Sequence, residues 1–261
     1  MFNRTCIVII VALIVSSCGE VEKPLEETPP DTNIVSGPGE GSTITEPSVT
    51  FEYTGSNKLV SEFSYRYSPI QENWSKWSPD KSVKLEYLDQ GKYVFEVKGR
   101  YESGNEDTTP DQRSFIVDIP GPGMLLKPFK RNAAPGEEFK IEVVADEVGE
   151  DVLLAHLILK FEPALLQFLD AAPGEFFQGS SPPVLQKTID NSRGTAVIDI
   201  STITAQPPRI KGTGIIAAVR FRSLSAGKSN VSFDDKSKFE DSTRKTISIV
   251  NRIGSVVEIT E

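Results

Sequence analysis

Apolar and polar residues alternate along short runs in the first half of the chain, between residues 43 and 118. Glycine, proline, asparagine and aspartate separate these runs. The alternating apolar residues are Val49, Phe51 and Tyr53; Phe63, Tyr65 and Tyr67; Val83, Leu85 and Tyr87; Tyr93, Phe95 and Val97; and Phe115 and Val117. A period of two is typical of β-strands that bury one face, and the separators are turn-forming residues. The pattern therefore predicts a module of short β-strands.

The second half of the chain, residues 124–261, carries the same alternation. Its apolar sets are Phe139, Ile141 and Val143; Leu157, Leu159 and Phe161; Ala196, Ile198 and Ile200; Val231 and Phe233; and Val256, Val257 and Ile259. Residues 215–222 are more continuously apolar, which is typical of a strand buried between two layers. Strands at these intervals with no long helix predict a sandwich of two sheets.

The breaks in this pattern divide the chain into segments. Residues 18–42 are rich in Pro, Glu, Thr and Gly without apolar periodicity, which predicts a disordered tether. Residues 119–123 form a shorter linker rich in proline and glycine. We therefore expect an all-β chain with two β-sandwich domains, at residues 43–118 and 124–261.

The amino-terminal residues 1–17 combine Arg4, a short apolar stretch and small residues, which indicates a secretory signal peptide. Val15-Ser16-Ser17-Cys18 resembles the lipobox of bacterial lipoproteins. The resemblance implies cleavage before Cys18, lipidation of Cys18 and a lipid anchor in the membrane of the cell envelope, at its outer surface or in the periplasm. Simple secretion, with Cys18 incidental, is the alternative.

Charge and residue counts argue against several classes of function. The chain has 28 Lys and Arg against 37 Asp and Glu, a net charge of −9, which disfavours nucleic-acid binding. His156 is the one histidine, and no nucleophile motif accompanies it, so we expect no enzyme and no cofactor. Residues 234–241 are acidic but lack the ligand spacing and the glycine of a calcium loop. We therefore expect no metal site.

A tyrosine motif narrows the class of the first module. The segment Leu88-Asp-Gln-Gly-Lys-Tyr93 matches the tyrosine corner, in which a Tyr hydroxyl bonds the backbone just upstream. With the preceding tyrosines, Trp74 and Trp77, the module resembles immunoglobulin-like sandwiches and the small fibronectin-type (Y_Y_Y) modules of bacterial surface proteins. The resemblance implies a spacer. Trp74 and Trp77 are expected to cover the sandwich; an exposed sugar-stacking platform is the alternative.

An ordered set of motifs in the second domain resembles the cohesin family. Residues 134–143 resemble the opening of cohesin domains. Residues 157–168 resemble the aromatic-Asp-Pro-x-x-Leu signature, with Glu162 in place of the usual Asp. Residues 212–221 and 254–257 resemble the family's Gly-x-Gly turn with its seventh strand, and its last strand. The resemblance implies a nine-stranded jelly roll that binds dockerin modules of other secreted proteins.

The period of two also predicts a partner-binding face. If Leu157, Leu159 and Ile198 point inward, their alternating neighbours point outward. Cohesins receive a dockerin helix on this sheet and on the strand near residues 187–191. The predicted partner-binding residues are Leu154, His156, Ile158, Lys160, Lys187, Asn191, Val197 and Asp199. An apolar centre with a polar rim is typical of a protein interface. The alternative is that another part of the chain, such as the first module, covers this face.

These observations favour a non-enzymatic adaptor, a surface lipoprotein whose cohesin-like domain binds dockerin-bearing secreted proteins. A carbohydrate-binding surface protein that takes a polysaccharide is the alternative from another class, because cohesins and cellulose-binding modules share the jelly-roll shape. That alternative needs a row of exposed aromatic rings, and the second domain contains no Trp or Tyr. Trp74 and Trp77 are therefore its remaining candidates.

Overall fold

The structure is a computed structural model that describes residues 28–177, 182–202 and 210–261. The predicted signal peptide, residues 1–17, and Cys18 lie outside these ranges. The described residues contain no helix with the length and apolar character to cross a membrane. Their regular secondary structure is almost entirely β-strand, in sheets consistent with sandwiches, which confirms the predicted all-β class.

The first module contains seven strands in two sheets. The strands are β1 (Thr32–Ser36), β2 (Ser42–Ile44), β3 (Ser48–Gly55), β4 (Val60–Ser68), β5 (Ser82–Glu86), β6 (Gly91–Tyr101) and β7 (Asp111–Val117). One sheet has the order β1-β3-β5 and the other the order β2-β7-β6-β4. Aromatic rings fill the core between the sheets: Phe51 stacks on Phe95 with centroids 4.0 Å apart, and Tyr93 stacks on Phe115 at 5.4 Å. The alternating apolar residues of the sequence thus form this core.

The tyrosine motif forms the hydrogen bond that its sequence predicts. The hydroxyl of Tyr93 donates to the backbone oxygen of Asp89 at 2.9 Å. Burial raises the pKa of Tyr93 to about 12, so the hydroxyl stays protonated and remains a donor at neutral pH. The bond ties the start of β6 to the loop that precedes it.

The predicted tether is too long at its carboxyl end. Strand β1 begins at Thr32, inside the segment predicted to be disordered, and Ile34 is buried in the core of the first module. The Ile34 amide also donates to the Asp111 carboxylate at 2.7 Å. Short edge strands contribute few apolar side chains, so their pattern is lost among the surrounding prolines and glycines.

The second domain contains thirteen strands among the described residues: β8 (Gly123–Lys127), β9 (Lys130–Ala133), β10 (Glu138–Val148), β11 (Leu154–Lys160), β12 (Leu166–Pro173), β13 (Val184–Asp190), β14 (Thr195–Ser201), β15 (Gly212–Ser223), β16 (Gly227–Phe233), β17 (Lys238–Glu240), β18 (Thr246–Ile247), β19 (Asn251–Ile253) and β20 (Ser255–Ile259). Nine of them have five or more residues, and β9, β17, β18 and β19 are shorter. A 3₁₀ turn, Glu175–Phe177, follows β12.

These strands form two facing sheets. One has the order β12-β15-β10-β8-β19, and the other has the order β13-β14-β11-β16-β20-β9, with β17 pairing with β11 and β18. Phenylalanines pack between the two sheets: Phe221 contacts Phe161 and Phe168 edge-on, at centroid distances of 5.3 and 5.1 Å. The core is closed by inward-facing aliphatic residues of both sheets.

The first module packs on the outside of the five-stranded sheet. Strand β8 is buried on both faces, because Met124 and Leu126 point into the core of the second domain while Leu125 joins the core of the first module. Phe129 and Val144 belong to that same core. An apolar interface therefore fixes the two modules to each other, on the side opposite to β11 and β14.

Polar contacts frame this interface. The Phe129 amide donates to the Asp89 carboxylate at 3.0 Å. Gln90 donates to Asp146 at 3.1 Å and accepts from Lys127 at 2.9 Å. Asp146 is buried and also accepts from the Thr213 hydroxyl. The loop of residues 89–90 therefore binds the second domain at two points.

The interface predicts a pH-dependent contribution from Asp89. Burial raises the pKa of its carboxyl above the ordinary value of 3.8, although the Phe129 amide and Lys127 oppose the shift. Its contribution to the free energy of unfolding is then complete below pH 3.8 and is lost as the pH rises through the raised pKa. Asp89→Asn removes this titration, and the amide oxygen can still accept from Phe129.

We therefore expect the unfolding free energy of Asp89→Asn, relative to the unchanged chain, to increase with pH across that window and then to level off. Urea unfolding of both chains at a series of pH values measures the difference. A difference that is independent of pH would refute this interpretation of Asp89.

Candidate partner-binding face

Three neighbouring strands, β13, β14 and β11, form the outer face that the sequence predicts as a binding surface. Residues of β11 pair directly with residues of β14: His156 lies opposite Asp199, and Ile158 lies opposite Val197. The intervening residues of both strands are buried, whereas these four are partly exposed. The inward and outward assignments made for β11 and β14 therefore hold along both strands.

Apolar side chains lie at the centre of this face. Ile158 and Val197 are register partners, and Leu154 lies further along β11 on the same side. Thr188 of β13 lies opposite Val197, so Thr188, Val197 and Ile158 are neighbours across three strands. The three apolar residues Leu154, Ile158 and Val197 form what we call the apolar row. On the side of β11 away from β14, the Ser237 hydroxyl accepts a hydrogen bond from the Ile158 amide at 2.9 Å. The sheet backbone thus fixes the position of the apolar row.

Polar and charged side-chain pairs surround the apolar row. His156 Nδ1 lies 2.6 Å from Asp199 Oδ1, Lys160 lies 2.5 Å from Asp234, and Lys238 lies 2.6 Å from Glu240. In the last two pairs the lysine is the outer partner: Lys160 is 57 % exposed against 20 % for Asp234, and Lys238 is 40 % against 14 % for Glu240. The hydrogen bond to Asp234 raises the pKa of Lys160. The rim therefore presents ammonium groups to a partner.

The sequence did not identify Lys238 as part of this rim. It lies opposite His156 because the short strand β17 pairs with β11. A three-residue strand after an acidic loop has no detectable periodicity, so only the pairing in the fold brings Lys238 to the face. Its spacing from β11 in the sequence gives no signal of this contact.

The prediction that Lys187 lies on this face is wrong, because its side chain points to the other side of the sheet. Lys187 lies opposite Ile198, whose side chain is buried, so Lys187 leaves β13 toward the inner side of the sheet. At this sheet edge its ammonium group forms an ion pair with Asp170 of β12, in the opposite sheet. The same register places Gln186 and Thr188 on the outer face.

The assignment of Asn191 to the rim also needs correction. Its side-chain oxygen accepts from the Phe168 amide at 2.8 Å, and its NH₂ group donates to the Phe168 oxygen at 3.0 Å. Asn191 therefore links the turn after β13 to β12. The oxygen and the NH₂ group of its side-chain amide are both used in hydrogen bonds within the domain.

Asn191→Ala is expected to lower the free energy of unfolding by about 1–3 kcal/mol, because it leaves two backbone groups of Phe168 without a partner. Chemical denaturation measures the change, and Asn230→Ala, at an exposed position of β16, is the matched control. Equal stabilities of the two variants would contradict the structural role of Asn191.

The first module does not cover this face within the described part of the chain. Its apolar contacts are with Leu125 and Val144 of the five-stranded sheet, and Ile215 and Ile253 pack at the same place. Burial follows this division: the first four residues of β8 are buried without interruption, whereas β11 and β14 alternate between buried and partly exposed residues. The alternative in which the first module covers the binding face is therefore wrong.

Cations contact the two tryptophans of the first module. Trp74 has Arg66 at 4.7 Å and Lys98 at 4.9 Å from its ring centroid. Trp77 has Lys98 at 5.2 Å and Arg100 at 4.5 Å. Such contacts stabilise a surface by about 0.5–1 kcal/mol each. They occupy the indole rings with the module's own side chains, which argues against a sugar-stacking platform.

The described residues contain no group of three or more His, Cys, Asp or Glu side chains placed to hold a metal ion. In the acidic loop after β16, Asp234 binds Lys160 and accepts from the Lys236 amide at 2.9 Å. These contacts use its carboxylate to order the loop and to pair with the rim.

The fold and the face together define a β-sandwich domain with a partly exposed apolar face, joined to a second sandwich. The family model of the cohesin domain matches residues 126–257, about half of the chain. The chain therefore belongs to the cohesin domain family, whose domains are protein-interaction modules. No curated protein matches the chain.

Solved cohesin structures resemble about half of the chain. The solution structure of CaCohA2 from Clostridium acetobutylicum has 18 % identity and a TM-score of 0.45, over 54 % of this chain and 92 % of that chain. A non-cellulosomal cohesin from Archaeoglobus fulgidus has 15 % identity and a TM-score of 0.44, over 53 % and 91 %. The OlpA cohesin of Clostridium thermocellum, in a complex with the dockerin Doc918, has 12 % identity and a TM-score of 0.46, over 53 % and 98 %.

Proposed function

We propose that the cohesin domain binds a dockerin-type module of a secreted protein through the outer face of β11, β13 and β14. The observation that carries the proposal is the row of partly exposed apolar residues, Leu154, Ile158 and Val197, on a sheet that the first module leaves open. Membership of the cohesin family supports a protein partner for this face.

The face also indicates the chemistry of the partner. Desolvation of the apolar row supplies most of the binding free energy, because central apolar contacts dominate interfaces of this kind. Lys160 and Lys238, the outer members of their ion pairs, favour a partner surface that carries carboxylates around an apolar centre. Binding should therefore weaken as the salt concentration rises.

Lipid anchoring completes the proposed role as a non-enzymatic adaptor. Its support is the sequence of residues 1–18, in which the lipobox-like segment ends at Cys18. Several acyl chains together hold a protein on a bilayer, because each buried CH₂ contributes about 0.8 kcal/mol. The chain would then hold a secreted protein at the surface of the cell envelope.

Dockerin binding is tested with the purified chain of residues 28–261 and the dockerin modules encoded in the same genome. The first module must be retained, because Leu125 and Val144 are buried against it. Calorimetry with and without calcium should find at least one dockerin that binds. If none binds more tightly than a dissociation constant of about 1 mM, the proposal is refuted.

Anchoring is tested separately by Cys18→Ser in the full chain. The unchanged chain should incorporate labelled palmitate and sediment with membranes, whereas the variant should do neither. Unlabelled and soluble behaviour of the unchanged chain would contradict the anchor and leave dockerin binding to be judged by its own experiment.

A further inference from the structure

A cleft opens where the two modules meet, away from the partner-binding face. Its volume is about 440 Å³, within the range of small-ligand pockets. The first module contributes Tyr67, Tyr87 and Asp89, and the second contributes Lys130 and Asn132. The apolar interface described above holds these two walls at a fixed separation.

Polar groups with free hydrogen-bonding capacity line both walls. One oxygen of the Asp89 carboxylate accepts from the Phe129 amide, and the other forms no hydrogen bond within the described residues. The same holds, in that part of the chain, for the side-chain amide of Asn132 and the hydroxyl of Tyr67. The cleft thus offers an acceptor, an amide and a hydroxyl together.

Two tyrosine rings supply the apolar part of the cleft. Tyr67 and Tyr87 each pack partly against the core of the first module and remain partly exposed to the cleft. Tyr87 adopts φ 59°, in the left-handed region that bulky side chains rarely occupy. Such strained positions cluster at ligand sites, and here the conformation accompanies a ring placed at the cleft wall.

The charges of the cleft favour a neutral ligand. Asp89 opposes an anion, whereas Glu86 is paired with Lys84 at 2.6 Å and Lys130, which would attract an anion, is paired with Glu258 at 2.8 Å. The ammonium of Lys228 lies 5.1 Å from the Tyr87 ring, which opposes a cation there. A pyranose combines hydroxyls for polar groups with C–H faces for aromatic rings, so it matches both parts of the lining.

We propose that this cleft between the modules binds a neutral saccharide of one or two sugar units. The carboxylate of Asp89 would accept hydrogen bonds from its hydroxyls, the amide of Asn132 would donate to them or accept from them, and the ring of Tyr67, which has no cation over it among the described residues, would contact its C–H face. This site is separate from the partner-binding face and from the cation-covered Trp74 and Trp77.

The test is an NMR titration of residues 28–261 with cellobiose, maltose and N,N′-diacetylchitobiose at millimolar concentrations. At least one disaccharide should shift the amide signals of Asn132 and the residues around it, while the indole signals of Trp74 and Trp77 stay in place. Asn132→Ala, at an exposed position, should weaken the affinity about tenfold, as expected for one lost hydrogen bond, and Asn230→Ala is its matched control.

Ile158→Asp, in β11 and three strands away from β9 in the same sheet, should leave saccharide affinity unchanged, so this result is independent of dockerin binding. Tyr67→Phe, which keeps the ring, should weaken binding without lowering the thermal unfolding temperature. The proposal is overturned if no disaccharide shifts the cleft signals, if shifts are confined to the indoles, or if Asn132→Ala binds as tightly as Asn230→Ala.

Discussion

Replacement of Ile158 by aspartate is expected to weaken dockerin binding by about 100-fold or more, equivalent to roughly 3 kcal/mol. Ile158 lies at the centre of the face. Val197 of β14 is its neighbour on one side, and on the other side Ser237 accepts a hydrogen bond from the Ile158 amide. A carboxylate there must lose its water in the complex while it faces an apolar partner surface. In the free chain the side chain is partly exposed, so the substitution leaves the fold intact.

The matched control for this prediction is Leu224→Asp, which makes the same change at an apolar residue that is 45 % exposed and lies outside the face. Calorimetry with the dockerin that binds the unchanged chain measures both affinities, and circular dichroism confirms folding. Equal affinities of the two variants would mean that the partner binds elsewhere.

Replacement of Leu125 by alanine is expected to lower the free energy of unfolding by about 2–5 kcal/mol. Leu125 is fully buried and belongs to the core of the first module, although its strand β8 is part of the second domain. Truncation opens a cavity at the interface between the modules. Because each module keeps its own core, we expect the variant to unfold in two transitions instead of one.

Leu126→Ala and Ile70→Ala are the controls for this prediction. Leu126 follows Leu125 in β8 but points into the core of the second domain, so its truncation should destabilise that domain without separating the modules. Ile70 is 51 % exposed, and its truncation should change little. Differential scanning calorimetry records the transitions; a single transition with unchanged stability for Leu125→Ala would contradict a coupled interface.

The period of two predicted most of the strands and most of the face. Ala155, Leu157 and Leu159 are buried, and His156 and Ile158 are partly exposed, as the alternation requires. Alternation carries this information because a strand with one buried face must repeat every second residue. Its phase can therefore be determined within one strand without knowledge of the neighbouring strands.

Relations between strands could not be predicted in the same way. The resemblance to cohesins places Lys187 and Asn191 on the face, whereas the register of β13 directs Lys187 to the other side and Asn191 binds Phe168. The position of the first module was missed for a related reason. Consecutive apolar residues such as Leu125-Leu126 and Val143-Val144 indicate burial on both faces, but not the layer that covers them.

The partner-binding face is tested most directly by methyl NMR spectroscopy of residues 28–261 as a dockerin module is added. Our account predicts the largest shifts at the methyl groups of Leu154, Ile158 and Val197, with Leu125 and Val144 unchanged at the opposite sheet. Shifts confined to the five-stranded sheet or to the first module, with no shift at Leu154, Ile158 or Val197, would contradict this account.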